Sequence, residues 1–374
     1  MSVSGFGVVR YTITLATLAL APLLVLATAT NRELGASRGG EQQTGVVLGA
    51  SATVGACILI ATSALCVMAS VAHLTGSASL AGLLVVLGGM GLFNLYYQIA
   101  RGLGHIRRIA VVYVGGSLIK LAVLLALIAV ADVSPIQALV IFGVSSGVTV
   151  IAYELAAPVI RGRAVWFGRE AMRPLWRIGA PLIIAQLGYM IWISADQIWV
   201  ESTFGTEQIG LYGAAKTIVQ AFFVLTAGSI GVMMPRVAEL RTAGQTRRAR
   251  RLIVVMSAQL LALSVLMGAF LVLARSPLLT LLFGDAYDAA GSALIALAVS
   301  MVVYGAFIGI TASAIGWGRP GLSALGVSVA ALSEIALLLL AGGDGIAFAG
   351  WVNAVSIGLG LVAVALALAR RPLR

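Results

Sequence analysis

Charge is what this chain of 374 residues has least of: Asp, Glu, Lys and Arg make up 10% of it, where an average soluble domain carries about 25%. With 60% hydrophobic residues and a mean hydropathy of +1.06, a water-soluble fold is excluded and a polytopic membrane protein remains. Cysteine is nearly absent. The only two, Cys57 and Cys66, lie nine residues apart in one apolar segment. At ~100° per residue they fall on opposite faces of a helix, which excludes a disulfide or a shared metal. His73 and His105 sit at opposite ends of one predicted hairpin, so no histidine pair is available for zinc or for catalysis. There is no GxxxxGK[ST] phosphate loop and no nucleophile elbow. The sequence therefore offers no catalytic residue, no metal site and no cofactor.

Long apolar runs are what it has instead. A span needs about 20 apolar residues, and eleven segments qualify: 11–30, 46–71, 79–100, 110–131, 136–158, 178–200, 208–234, 253–275, 288–314, 321–341 and 347–369. The net charge of +11 is concentrated between them. Alternate loops and the C-terminus hold 20 of the 24 basic residues, including Arg161, Arg163, Arg169, Arg173 and Arg177, and later Arg236, Arg241, Arg247, Arg248, Arg250 and Arg251. The opposite loops carry Asp132, Glu201, Glu207, Asp285, Asp288 and Asp344, with only Arg275 beside them. The positive-inside rule makes the first set, and the C-terminus, cytoplasmic. The basic balance is thus topological, and nucleic acid is not needed as a partner.

The chain also repeats itself. A shift of 206 brings GFGVVR at 5–10 onto LYGAAK at 211–216, pairing Gly7 with Gly213 and Arg10 with Lys216; Pro22 then meets Gly228 and Glu33 meets Glu239. A shift of 212 matches Gly104 to Gly316 and Arg107 to Arg319. Five spans of the first half pair in order with five of the second, as a parallel duplication requires. The expected organisation is an N-terminal lobe over 1–160 with five helices, an Arg-rich cytoplasmic linker over 161–177, and a C-terminal lobe over 178–374 with six. The span at 178–200 has no partner, and a cytoplasmic C-terminus after eleven spans leaves the N-terminus outside. Both point to a 12-helix architecture whose first helix is missing from this sequence.

Four stretches together carry a family resemblance: PLWRIGAPLIIAQLGYMIWISADQIWV, IGLYGAAKTIVQAFFVLTAGSIGVMMPRVAEL, LLFGDAYDAAGSALIALA and AIGWGRP. They resemble the polysaccharide flippases of the multidrug/oligosaccharidyl-lipid/polysaccharide (MOP) exporter superfamily. The resemblance covers most of the chain and is strongest over 172–320. It implies two pseudo-symmetric helical lobes around a central cavity that move lipid-linked sugars between leaflets by alternating access.

Charges inside the spans are the candidate site residues, since each costs ~2.5–3.5 kcal/mol at mid-bilayer unless it faces something polar. Arg10, Lys120 and Lys216 are candidates for the pyrophosphate of a lipid carrier, because a dianion in a low-dielectric cavity requires fixed positive charge. Each has a structural alternative: an internal ion pair with Asp196 or Glu334 for Lys216, snorkelling to the interface for Arg10, and pairing with a carboxylate or reaching polar backbone for Lys120. Asp196, Glu334 and Asn353 fall in the outer halves of their spans, where three oxygen-bearing side chains suit a coupling Na+ or H+; the alternative is a hydrogen-bonded packing network. By residue counting, a loop of about seven residues separates the Asp196 and Lys216 spans and leaves the two side chains ~6 Å apart in depth. Trp192, Trp199, Tyr189 and Tyr287 read as interfacial anchors, with sugar stacking as the second reading. Gly305 and Gly309 form a GxxxG that marks a close helix contact. Pro22 and Gly228 are candidate bending points.

The leading functional expectation is a non-enzymatic flippase in a bacterial cytoplasmic membrane. It would move an undecaprenyl-pyrophosphate-linked oligosaccharide for a surface polysaccharide such as lipopolysaccharide, in contact with membrane lipids and with polysaccharide assembly proteins. A cation-coupled multidrug exporter of the same superfamily would favour acidic, aromatic cavities, which the three cations oppose. A transport-inactive partner subunit is a further class. A glycan polymerase or ligase would need a large outer loop, and the outer loops here are about a dozen residues at most.

Overall fold

A computed structural model describes residues 2–36, 41–72, 79–105, 111, 114–119, 121–123, 126, 133–156, 172–317 and 319–370. Apart from short turns and bends, every element among the described residues is helical. Among the described residues, seven helices are long and apolar enough to cross a membrane, and the bent pair that opens the chain makes eight if it is one span. The chain is a multi-pass membrane protein, and it divides into two compact units, residues 1–187 and 188–374.

In the first unit, α1 (Val3–Ala19) and α2 (Ala21–Ala36) are followed by α3 (Glu41–Val71), α4 (Leu80–Gly102) and α5 (Pro135–Ala156). α1 and α2 meet at an angle of 52°. Pro22 explains the break: it has no N–H to donate to the carbonyl of Leu18, and its ring crowds that turn. The Leu20 N–H still reaches Ala16 O at 3.0 Å and Leu24 N–H reaches Leu20 O at 3.0 Å, so the ladder resumes on either side of the proline. α4 packs closely against α5. A Cβ on Gly89 would stand 1.9 Å from the carbonyl oxygen of Gly143, so glycine at that crossing is what lets the two backbones touch. Leu20, Leu23, Leu83, Leu87 and Leu139 fill the core around them.

α6 runs from Met172 to Thr242 with one interruption, at Gly205 (φ 80°, ψ −173°), a backbone conformation that glycine alone adopts without strain. Beyond residue 188 it belongs to the second unit, with α7 (Thr246–Leu273), α8 (Arg275–Phe283), a 3-10 turn (Asp285–Ala290), α9 (Gly291–Gly316), α10 (Pro320–Leu340) and α11 (Ile346–Arg370). α9 packs against α7 and α11, and α11 against α10. The GxxxG glycines meet α7: a Cβ on Gly305 would lie 2.0 Å from Ser264 Oγ, and one on Gly309 would lie 3.0 Å from Ser257 Oγ. Trp192, Tyr304, Phe307, Ala330, Ala331, Ile357 and Val364 form the core that ties α6, α9, α10 and α11 together. Leu273, Leu339 and Leu340 lie outside it, 74–85% exposed, an exterior suited to hydrocarbon as solvent.

Candidate functional site

The break at Gly205 creates the site. Asp196 lies nine residues before it and Lys216 eleven after it. Along one straight helix, twenty residues would separate them by ~30 Å. They form an ion pair instead, so the two halves of α6 fold back on each other as a hairpin. The expected seven-residue loop is a single glycine, which cuts the depth offset from ~6 Å to ~3 Å and lets Lys216 reach Asp196 directly. Lys216 Nζ donates to Asp196 Oδ1 at 2.6 Å, contacts Oδ2 as well, and donates to the carbonyl of Ile193 at 2.9 Å. Tyr212, one turn before Lys216, donates its hydroxyl to Asp196 Oδ2 at 2.6 Å. Asp196 is completely buried and Lys216 is 5% exposed. Buried charges are stable only when paired and hydrogen-bonded in this way.

A second cluster adjoins the first. Asn353 on α11 donates to Glu334 Oε1 on α10 at 2.9 Å and accepts from Ser300 on α9 at 2.5 Å. Its amide also approaches the carbonyl of Trp192 at 3.5 Å, one residue from the carbonyl that holds Lys216. Glu334 is fully buried, and its Oε2 has no hydrogen-bond partner among the described residues. Its carboxyl lies within electrostatic reach of both Asp196 and Lys216. Four helical segments thus deliver two carboxylates, an ammonium and an amide to one buried place.

Beside this network lies a cavity of about 210 Å³, lined by Tyr189, Trp192, Lys216, Gln220, Ser300 and Asn353 among others. Two of the expected interfacial anchors thus line this cavity. Trp192 is buried and stacks on Tyr304 with ring centroids 5.4 Å apart and planes 9° from parallel, and Tyr189 joins it at 6.0 Å. Both lie on the face of α6 that carries Ile193 and Asp196 and packs against Tyr304 of α9. Tyr287 is also buried, against Phe283 at 5.4 Å.

Of the residues singled out from the sequence, Asp196, Lys216, Glu334 and Asn353 come together in the second unit. Arg10 lies half-buried on α1 in the first unit, and Lys120 falls outside the described residues. Sequence reasoning missed Tyr212, Ser300 and Gln220. Tyr212 had a signal, the i, i+4 spacing that places it on the Lys216 face; a lone serine such as Ser300 in an apolar helix has none. No group of three or more His, Cys, Asp and Glu side chains is arranged to hold a metal ion among the described residues.

Comparison with solved structures defines the class. The chain is similar to an inward-facing multidrug resistance MATE family transporter of the MOP superfamily, with a TM-score of 0.80 at 15% identity over 99% of this chain and 96% of that one. An outward-facing MATE transporter of the same superfamily matches with a TM-score of 0.67 at 16% identity, over 96% and 85%. A MOP superfamily transporter from Pyrococcus furiosus, described as having a binding pocket of reversed polarity, matches with a TM-score of 0.60 at 17% identity, over 98% and 91%. The fold is that of the MOP transporters. Within that class, residues 42–292 match the sequence model of a family described as polysaccharide biosynthesis protein, and the chain belongs to that family. No curated protein matches it.

Proposed function

We propose that this MOP-superfamily transporter flips an oligosaccharide carried on undecaprenyl pyrophosphate across a bacterial cytoplasmic membrane by alternating access, for assembly of a surface polysaccharide. The observation that carries the reading is Lys216, an ammonium buried in a polysaccharide biosynthesis family member, which faces a cavity while paired with Asp196. A phosphate entering that cavity competes with Asp196 for the same three N–H donors. Arg10 and Lys120 are proposed as further contacts to the head group. Asp196, Glu334 and Asn353 are proposed to take the coupling Na+ or H+. Glu334 Oε2 is buried with no hydrogen-bond partner among the described residues, whereas both oxygens of Asp196 are occupied by Lys216 and Tyr212. Asp196 joins the ion only when Lys216 leaves, so head group and ion are coupled by an exchange of partners.

Removing Lys216 alone strands a buried carboxylate and costs about 3–5 kcal/mol, so the single variant confuses folding with function. The informative test is the neutral pair Asp196→Asn with Lys216→Gln, in cells whose glycan export depends on this chain. The pair is expected to accumulate to normal abundance and to fail in export, while Lys216→Arg retains much of it. Normal export by the neutral pair overturns the reading. The buried carboxylates and the aromatic wall of Tyr189 and Trp192 favour a second reading, export of cationic drugs. Under that reading the chain lowers cellular accumulation of a cationic dye and leaves glycan export unrestored.

A further inference from the structure

A second concavity, of about 800 Å³, lies between the end of α6 and the start of α7, at one boundary of the α7 span. It is lined by Arg236, Arg248 and Arg251, with one carboxylate, Glu239, among them, and by Leu240, Leu252 and Val255. Leu240 and Leu252 pack on a core of Met233, Val237, Ala249, Ala312 and Trp317. Arg236 is paired with Glu239 at 2.5 Å, and Arg248 donates to Gln245 at 2.9 Å. Arg251 is exposed and makes no hydrogen bond or ion pair among the described residues. A topogenic charge bias requires a number of arginines on one side and no convergence of them. Here three converge on one cleft. The first turns of α7 also hold Arg247, Arg248, Arg250 and Arg251 with no acidic residue and no side-chain cap, where the helix dipole opposes cations. The charge changes to apolar within one helical turn, from Arg251 to Val255, and Val254 beside it is 66% exposed.

We infer that this cleft binds an anionic phospholipid of the surrounding membrane, its phosphate held by Arg236, Arg248 and Arg251 and its acyl chain laid over Val255. Guanidinium pairs with phosphate through parallel N–H donors, and an amphipathic slot at the membrane boundary selects a lipid over a soluble ion. The site is separate from the Lys216 cavity and does not depend on the transported substrate.

The test uses the full chain purified in detergent and titrated with phosphatidylglycerol, phosphatidylcholine or inorganic pyrophosphate, with bound lipid read by native mass spectrometry. Wild type is expected to prefer phosphatidylglycerol to phosphatidylcholine. Arg251→Gln alone, which breaks no bond, should reduce that preference about fivefold, at ~1 kcal/mol per arginine. The triple variant Arg236→Gln, Arg248→Gln, Arg251→Gln should abolish it. An equally charged control, Arg161→Gln, Arg163→Gln, Arg169→Gln, should leave it intact, as should the neutral pair at Asp196 and Lys216. Retained preference in the triple variant overturns the inference, and so does equal loss in the control. Displacement of phosphatidylglycerol by inorganic pyrophosphate would show a free-phosphate site and overturn the assignment to lipid.

Discussion

Asp196 and Lys216 share one buried pair, and their substitutions are expected to be strongly non-additive. Exchanging them, Asp196→Lys with Lys216→Asp, restores charge balance but moves the ammonium off the Ile193 carbonyl and the carboxylate away from Tyr212. Stability should recover in part relative to either single variant, and export should not. Full recovery of export would make the pair purely structural. Glu334→Gln retains an oxygen for Asn353 but removes the carboxylate near Asp196 and Lys216 and leaves a buried amide NH2 unpartnered, so stability in detergent should fall by about 1–3 kcal/mol. Transport should then lose its dependence on the ion gradient, measured in vesicles with and without an imposed gradient. Asp196, Lys216, Glu334 and Asn353 were legible in the sequence because charge and amide are conspicuous in hydrocarbon. Tyr189 and Trp192 were less so, because the same side chains serve at interfaces and in cores, and hydropathy does not report which way a helix face turns.

Helix boundaries were readable where the chain leaves the apolar phase abruptly. The expected 321–341 and 347–369 stand as Pro320–Leu340 and Ile346–Arg370. Hydropathy failed where helices outrun the hydrocarbon: Glu201, Thr203 and Glu207 read as loop, yet they are helical on either side of Gly205. It also places the first span at 11–30, although the helix begins at Val3 and bends before Pro22. Two glycine contacts give a comparative prediction at this scale. Gly89→Ala drives a Cβ into a backbone carbonyl that cannot move without separating α4 and α5, whereas Gly55→Ala meets Leu95 Cδ2 at 2.9 Å, the far end of a side chain that can rotate. The first should cost ~1–3 kcal/mol and the second less, judged by melting temperature in detergent. Equal losses would mean that Leu95 is as fixed as backbone.

At the scale of the molecule, the positive-inside reading requires the turn at residues 243–245 and the bend at 341–345 to lie on opposite sides of the membrane. Single cysteines at Ala243 and Gly342, in a Cys57→Ser, Cys66→Ser background, test this with an impermeant thiol reagent. The reagent should label Gly342→Cys in intact cells and Ala243→Cys only after permeabilisation. The hairpin at Gly205 also bears on biogenesis. Two charges entering hydrocarbon one helix at a time each meet a barrier of ~2.5–3.5 kcal/mol. Asp196 and Lys216 are only twenty residues apart along the chain, with the turn between their helices made at Gly205, so the pair can close as soon as its second helix is made. A hairpin neutral at its centre would then enter the membrane as one unit, and a residue inserted beside Gly205, which would rotate Lys216 by ~100°, is expected to be felt at membrane insertion before it is felt in transport.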